Sequence, residues 1–202
     1  FTDRRQRQMC IRDRYLSETI RTNSGKIILC AIGPLTNIAN LLEYDPEIVR
    51  HVKKLIIMGG AVYVKGNITP YAEANFWHDP HAANKVLNGD WDIDLIPLDV
   101  TTKIHLTPDI FAIIAKASPN IGGFLASISE FYMDFYSSIY KKRMCLMHDS
   151  TAIIAMINRN IFTFKKLPLS VILKGKKSGK TVISENGSRK TVNVAVLSLI
   201  HI

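Results

Sequence analysis

The sequence predicts an α/β protein, a Rossmann-like open mixed sheet flanked by helices and closed by a C-terminal antiparallel ribbon. Three observations predict it. Short, continuously apolar runs alternate with helical patterns through the first half of the chain, which is the grammar of strands joined by helical crossovers. The runs are apolar at successive residues rather than alternating, as strands buried on both faces are. The last third changes character, with short apolar stretches separated by Gly- and Lys-rich turns that suit antiparallel pairing.

The elements follow in order. Lys26 to Ile32 (KIILCAI) reads as the first strand, and the stretch from about Leu35 to Tyr44 as a helix entered through Gly33 and Pro34. Thr36 and Asn37 fall in its first turn, where exposed backbone groups could meet a phosphate, a cation or nothing; a tight turn explains them from the residues alone. KLIIMGG, ending at Gly59 and Gly60, supplies the second strand and its loop edge. Pro80 to Asn88 reads as a helix with Asp79 as its N-cap and proline at the first helical position. That capping role is preferred over a metal cluster of Glu73, His78, Asp79 and His81, whose directions on an irregular loop are undefined. Ile93 to Val100 (IDLIPLDV) is a third strand.

Beyond Thr107 the pattern is helical: PDIFAIIAKA, then the aromatic segment ISEFYMDFYSSIY, then STAIIAMINRN behind His148 and Asp149. Tyr132, Tyr136 and Tyr140 recur every four residues with Phe131 and Phe135 beside them. A helix aromatic on more than one face is buried or covers a ligand, and the residues alone favour core packing. LPLSVIL, GKTVIS and TVNVAV form the closing edge ribbon.

The chain has 202 residues, 47% of them hydrophobic, which is enough to bury a core in one domain or the larger part of one. No apolar run approaches the roughly 18 residues that span a bilayer, so no membrane partner is expected. Cys10, Cys30 and Cys145 are odd in number and lack ligand spacing, pointing to reduced thiols and a cytoplasmic setting. The net charge of +9 is carried by five Arg against two Asp in residues 1–14 and eight Lys or Arg against Glu185 in residues 165–190, leaving the remainder near neutral. A basic stripe across the folded core is missing, and nucleic acid is not an expected partner. Residues 1–14 and 197–202 lack period and caps. They read as foreign sequence or a disordered tail around a domain of residues 15–196.

Two segments carry chemistry. Gly66 to Pro80 (GNITPYAEANFWHDP) brings Asn67, Glu73 and Asn75 together just beyond a strand edge, where ligands of parallel sheets gather. If the segment is extended, Glu73 and Asn75 leave the same face and converge on one polar molecule such as a sugar. His148 and Asp149 stand before an apolar helix. Asp149 or Ser150 could simply cap it, but an aspartate there is also aimed to ligate a hard cation, and the adjacent imidazole titrates near neutral pH.

Taken together, IGPLTNIA, LIIMGGA, GNITPYAEANFWHDP, PLDVT and MHD, in this order, resemble the inosine-uridine preferring nucleoside hydrolase family from about Leu16 to Val196. The resemblance implies a small-molecule nucleoside substrate, a calcium ion (Ca2+) whose bound water attacks the anomeric carbon, and a homo-oligomeric parent. It assigns metal ligation to the Asp149 carboxylate and the Ile32 carbonyl. Ribose contacts fall to Asn67, Glu73 and Asn75, with Met58 lining the pocket. His148 lies near the leaving base as the catalytic residue, with Tyr132 and Tyr136 over the base. The family's DxDxxxDD motif is not found in the chain. It therefore resembles the C-terminal two thirds of the enzyme, without the N-terminal strand or strands, and the 202 residues alone are expected to be inactive. A non-catalytic nucleoside-binding module is the alternative. A nucleoside phosphorylase would need a phosphate site of Arg and Gly that residues 15–164 do not offer.

Overall fold

The computed structural model describes residues 2–184 and 189–199. The parallel half of the sheet follows from the apolar runs. β1 (Ile28–Ala31), β2 (Lys54–Met58) and β3 (Ile93–Ile96) pair in parallel, Cys30 beside Ile56 and Ile57 beside Leu95. Ile56, Ile57, Leu95 and Ile96 are almost wholly buried, and helices cover both faces. α2 (Thr36–Tyr44) and α4 (Pro80–Leu87) lie on one side, with α1 (Thr2–Thr22) packed on α2. α8 (Asp149–Ile157) lies against β1 and β2 on the other side. The Asp79 cap is present: its carboxylate accepts from the Ala82 amide at 2.9 Å and from Thr36 Oγ1 at 2.6 Å.

Three expectations change. The third strand stops at Ile96 rather than Val100, because Pro97 has no N–H to continue the ladder and instead starts the single helical turn α5 (Leu98–Thr101). The closing strands are not an edge ribbon alone. β8 (Thr191–Ser198) inserts beside β3 in parallel, while β6 (Phe162–Val171) runs antiparallel to β8 and β7 (Thr181–Ile183) to β6, giving the order β1-β2-β3-β8-β6-β7. The physical tie is Asp94, 1% exposed in the middle of β3, whose carboxylate takes Arg159, Asn193 of β8 and Lys54 of β2. The aromatic helix α7 (Pro119–Tyr140) is not core. It packs on α6 (Pro108–Ala117) and buries only Gly122, Met133 and Tyr136.

The segments expected to be tails are partly built into these elements. Helix α1 starts at Thr2, with Asp13 buried and Arg12 bonded to Asn37, because its apolar face, Leu16 and Ile20, packs on the core and Arg21 grips Asp45 at 2.6 Å. Residues 197 and 198 complete β8, and residues 1 and 200–202 lie outside the described residues. A two-stranded ribbon, β4 (His105–Leu106) with β5 (Cys145–Leu146), links α5 to α8. No helix among the described residues is long and apolar enough to cross a membrane.

Candidate active site

The site residues gather at the carboxyl edge of β1, β2 and β3, as parallel sheets dictate. Each segment arrives there for a local reason. After β2 the chain turns through Gly59 and Gly60, where a side chain on Gly59 would meet the Phe76 ring at 2.5 Å. The loop beyond is held down by Asp99 of α5, whose buried carboxylate accepts from the Val62 and Tyr63 amides at 2.9 and 2.7 Å.

Glu73 and Asn75 do not share an extended face. Glu73 is the N-cap of the short helix α3 (Ala74–His78), and Asn75 already lies in its first turn. A helix start leaves N–H groups without partners, and a carboxylate there satisfies them. Glu73, 2% exposed, accepts from the amides of Asn75 (2.8 Å), Gly60 (2.9 Å) and Phe76 (3.1 Å). Asn67 Oδ1 accepts from the Ala74 amide, and Asn75 Nδ2 donates to the Met58 carbonyl at 3.0 Å. Asn67, Glu73, Asn75 and Met58 are therefore brought together, by capping rather than by strand alternation.

His148 and Asp149 come from the opposite side. Neither Asp149 nor Ser150 occupies the cap position of α8; His148 does, without a capping bond, and Asp149 is the first helical residue. His148 shares hydrogen bonds with Thr101 Oγ1 through Nδ1 (2.8 Å) and with the Tyr136 hydroxyl through Nε2 (3.3 Å). Tyr136 in turn meets the Tyr132 hydroxyl at 3.1 Å. Burial lowers the His148 pKa below its ordinary value, favouring a neutral ring, and raises those of both tyrosines, which stay protonated. The result is a line of neutral donors and acceptors suited to passing a proton.

Two cavities meet at this imidazole. The larger, about 610 Å³, has Asn67 and Ala74 on one wall and Tyr136, Tyr140 and His148 on the other. The smaller, about 410 Å³, is lined by Tyr132, His148, Asp149 and apolar residues of α6 and α7. Met58, Glu73 and Asn75 are in neither lining, and Ile32, past the end of β1, is outside both.

Electrostatics join the halves. Burial raises the Glu73 pKa against three backbone N–H bonds that lower it, and the Asp149 charge raises it further. Asp149 also acts on Cys30 of β1 and on Tyr132. Partial desolvation raises the Asp149 pKa too. Its carboxylate has no hydrogen-bond or ion-pair partner among the described residues. In kind it is a donor for a hard cation. In number the set falls short: among the described residues no three His, Cys, Asp or Glu side chains could share an ion, and Asp149 with the Ile32 carbonyl offers at most three oxygens where calcium takes about six to eight.

Three supporting residues were not anticipated. Thr101 anchors His148, and only tertiary contact makes it visible. Thr181 and Gly179, in the β6–β7 hairpin, brace the segment after β2: Thr181 Oγ1 accepts from the Ala61 amide at 3.4 Å, and a side chain on Gly179 would lie 2.7 Å from Trp77 Cα.

Comparison with known proteins agrees with this fold. A family model described as inosine-uridine preferring nucleoside hydrolase matches residues 3–200. The chain is 34% identical over 150 residues to the inosine-uridine preferring nucleoside hydrolase of Crithidia fasciculata, covering 74% of this chain and 47% of that protein. It is 29% identical over 190 residues to uridine nucleosidase 1 of Arabidopsis thaliana, covering 92% and 56%. A plant nucleoside hydrolase structure superposes with a TM-score of 0.90 at 27% identity, over 94% of this chain and 63% of that one. The purine-preferring ribonucleoside hydrolase of Gardnerella vaginalis does so at 0.87 and 28%, over 93% and 61%. The chain spans about half the length of the curated relatives it matches. On sequence and fold together, the chain belongs to the inosine-uridine preferring nucleoside hydrolase family.

Proposed function

We propose that this chain supplies the sugar-holding and leaving-group side of an enzyme that hydrolyses the N-glycosidic bond of ribonucleosides to free base and ribose. The observation that carries the reading is the hydrogen-bonded line Tyr132, Tyr136, His148, Thr101, of which Tyr136 and His148 line the same cavity as Asn67. Departure of the base leaves an oxocarbenium-like sugar, so hydroxyl contacts that tighten as charge develops lower the barrier. Asn67, Glu73 and Asn75 are assigned to those hydroxyls, with Met58 beneath. The departing base needs a proton. Burial disfavours a standing imidazolium, so His148 and the Tyr136 hydroxyl are assigned to pass a proton from solvent to the base nitrogen as the C–N bond breaks. Tyr132 and Tyr136 also offer ring surface to the base.

Asp149 and the Ile32 carbonyl are this chain's contribution to a calcium site, which the remaining ligands would complete from outside the 202 residues. Calcium, when bound, supplies an acidified water as the nucleophile. Uridine and purine nucleosides are the substrates to test, because relatives carry both names. A cytoplasmic setting and a homo-oligomeric parent belong to the same proposal. With at most three calcium oxygens of its own, the isolated chain is assigned binding without turnover.

The test has two arms. The purified 202-residue chain is expected to release no ribose from inosine or uridine with calcium present; clear calcium-dependent release refutes its inactivity. In a chimera carrying a relative's N-terminal region, Asp149→Ala should weaken calcium binding, while His148→Ala should slow turnover by roughly 10² to 10⁴ with calcium binding retained. The reverse pattern would exchange the two roles.

A further inference from the structure

Thr101 and Thr102 close the same helical turn and spend their hydroxyls differently. Thr102 Oγ1 donates back to the Leu98 carbonyl at 2.6 Å, a common use of threonine in a helix. Thr101 leaves the Pro97 carbonyl to its own backbone amide and turns Oγ1 to His148 Nδ1 at 2.8 Å. That ring nitrogen is the only hydrogen-bond partner of the Thr101 hydroxyl among the described residues, and Thr101 is 0% exposed. Its frame is stiff: a β-branched side chain on a turn tied to Gly60 through the Leu98 amide and to Val62 and Tyr63 through Asp99.

A count of protons fixes the direction of this hydrogen bond. The Thr101 hydroxyl, the neutral ring of His148 and the hydroxyls of Tyr136 and Tyr132 carry one movable proton each, so four protons serve three hydrogen bonds. One proton is left unspent, either at the buried Thr101 end or among the tyrosines. If Nδ1 carried the ring proton and donated to Thr101, the Thr101 O–H would have no acceptor in a place closed to water. An unmet buried donor makes that arrangement rarer by a factor on the order of ten. If Thr101 donates instead, Nδ1 is satisfied as an acceptor and the ring proton sits on Nε2, facing the Tyr136 oxygen at 3.3 Å. The unspent proton is then a phenolic O–H, and Tyr132 and Tyr136 each line a cavity. We propose that Thr101 is a positioning residue that fixes His148 as its Nε2–H tautomer, so that the tyrosine pair rather than the imidazole presents the free proton to a ligand. The part Thr101 plays in hydrolysis rests on the leaving-group reading of His148 and Tyr136, whereas the tautomer belongs to the chain itself and is measured without turnover.

Nitrogen-15 NMR of the histidine rings in the 202-residue chain, at neutral pH, tests the proposal. The chain has six histidines, and the signals of His148 are those missing from His148→Gln. The unmodified chain is expected to show a pyridine-type Nδ1 and a pyrrole-type Nε2 at His148. Thr101→Val removes the hydroxyl at nearly constant volume and should move both nitrogens toward intermediate shifts, as two tautomers exchange. Thr101→Ser should restore the single tautomer. Tyr136→Phe removes the partner of Nε2 and should leave Nδ1 pyridine-type, because Thr101 still donates to it. A pyrrole-type Nδ1 in the unmodified chain overturns the proposal, as does a Thr101→Val ring that keeps its tautomer, or a tautomer that switches in Tyr136→Phe. If circular dichroism shows Thr101→Val unfolded, the unmodified chain and Tyr136→Phe decide between the same outcomes. A chimera that binds calcium but hydrolyses no nucleoside, with the Nε2–H tautomer in place, would refute the hydrolytic reading and leave the role of Thr101 toward His148 standing.

Discussion

Replacing Glu73 separates its role in holding the loop from any role toward substrate. The carboxylate is 2% exposed and its two oxygens satisfy three backbone amides: Oε1 takes Asn75, Oε2 takes Gly60 and Phe76. In Glu73→Gln one oxygen becomes an NH2 group, which can only face an amide donor with another donor. The least costly orientation sacrifices the Asn75 bond, leaving one buried N–H unsatisfied at about 1 to 3 kcal/mol. Glu73→Ala strands all three and should cost roughly twice as much or more, tempered by water entering the vacated space. Urea unfolding followed by far-ultraviolet circular dichroism measures both. The pH dependence supplies an independent check. Because burial raises the folded pKa above the unfolded value of about 4.3, the native state holds more protons just above that pH, and Glu73 makes stability fall as pH rises through that window. Both variants should lack that contribution. If Glu73→Ala unfolds within about 0.5 kcal/mol of the unmodified chain, the carboxylate does not hold the loop and the capping argument fails.

Further outcomes follow from other residues. Asp94→Ala leaves Arg159 and Lys54 without their shared carboxylate and should destabilise by about 3 kcal/mol, whereas Asp94→Asn, which keeps one acceptor oxygen, should cost less; equal costs in urea would deny the charge a role. Gly179→Val sets a β-branched residue at φ +83° against Trp77 Cα and should destabilise by at least about 2 kcal/mol; a variant as stable as the parent chain shows that the hairpin does not brace the loop. His148 should titrate below about 6.5 by NMR. Since its folded pKa is lowered, stability should fall as pH drops through the unfolded value, and His148→Gln should flatten that slope; a midpoint above 6.5 would contradict the buried neutral ring.

What the sequence determined alone was what depends on near neighbours in the chain. KIILCAI and KLIIMGG are continuously apolar after their opening lysine, so they had to be strands covered on both faces, and Asp79 before Pro80 could satisfy the first amides of α4 without leaving its own turn. The grouping of Asn67, Glu73 and Asn75 was legible because the three lie within nine residues. Why they group was not: the amides Glu73 satisfies include Gly60, thirteen residues away, so capping became visible only once β2 and α3 were packed together. The same holds for Thr101 beside His148, separated by 47 residues, and for Thr181 beside Ala61, separated by 120. Local pattern also misjudged α7 and β8. An aromatic helix satisfies its backbone equally well buried or exposed, and a strand with apolar residues on both faces can serve at an edge or between two neighbours. Only the distribution of neighbours in three dimensions decides between such states. Here it opened the outer face of α7 and drew β8 in beside Asp94, where Asn193 could reach the carboxylate shared with Arg159.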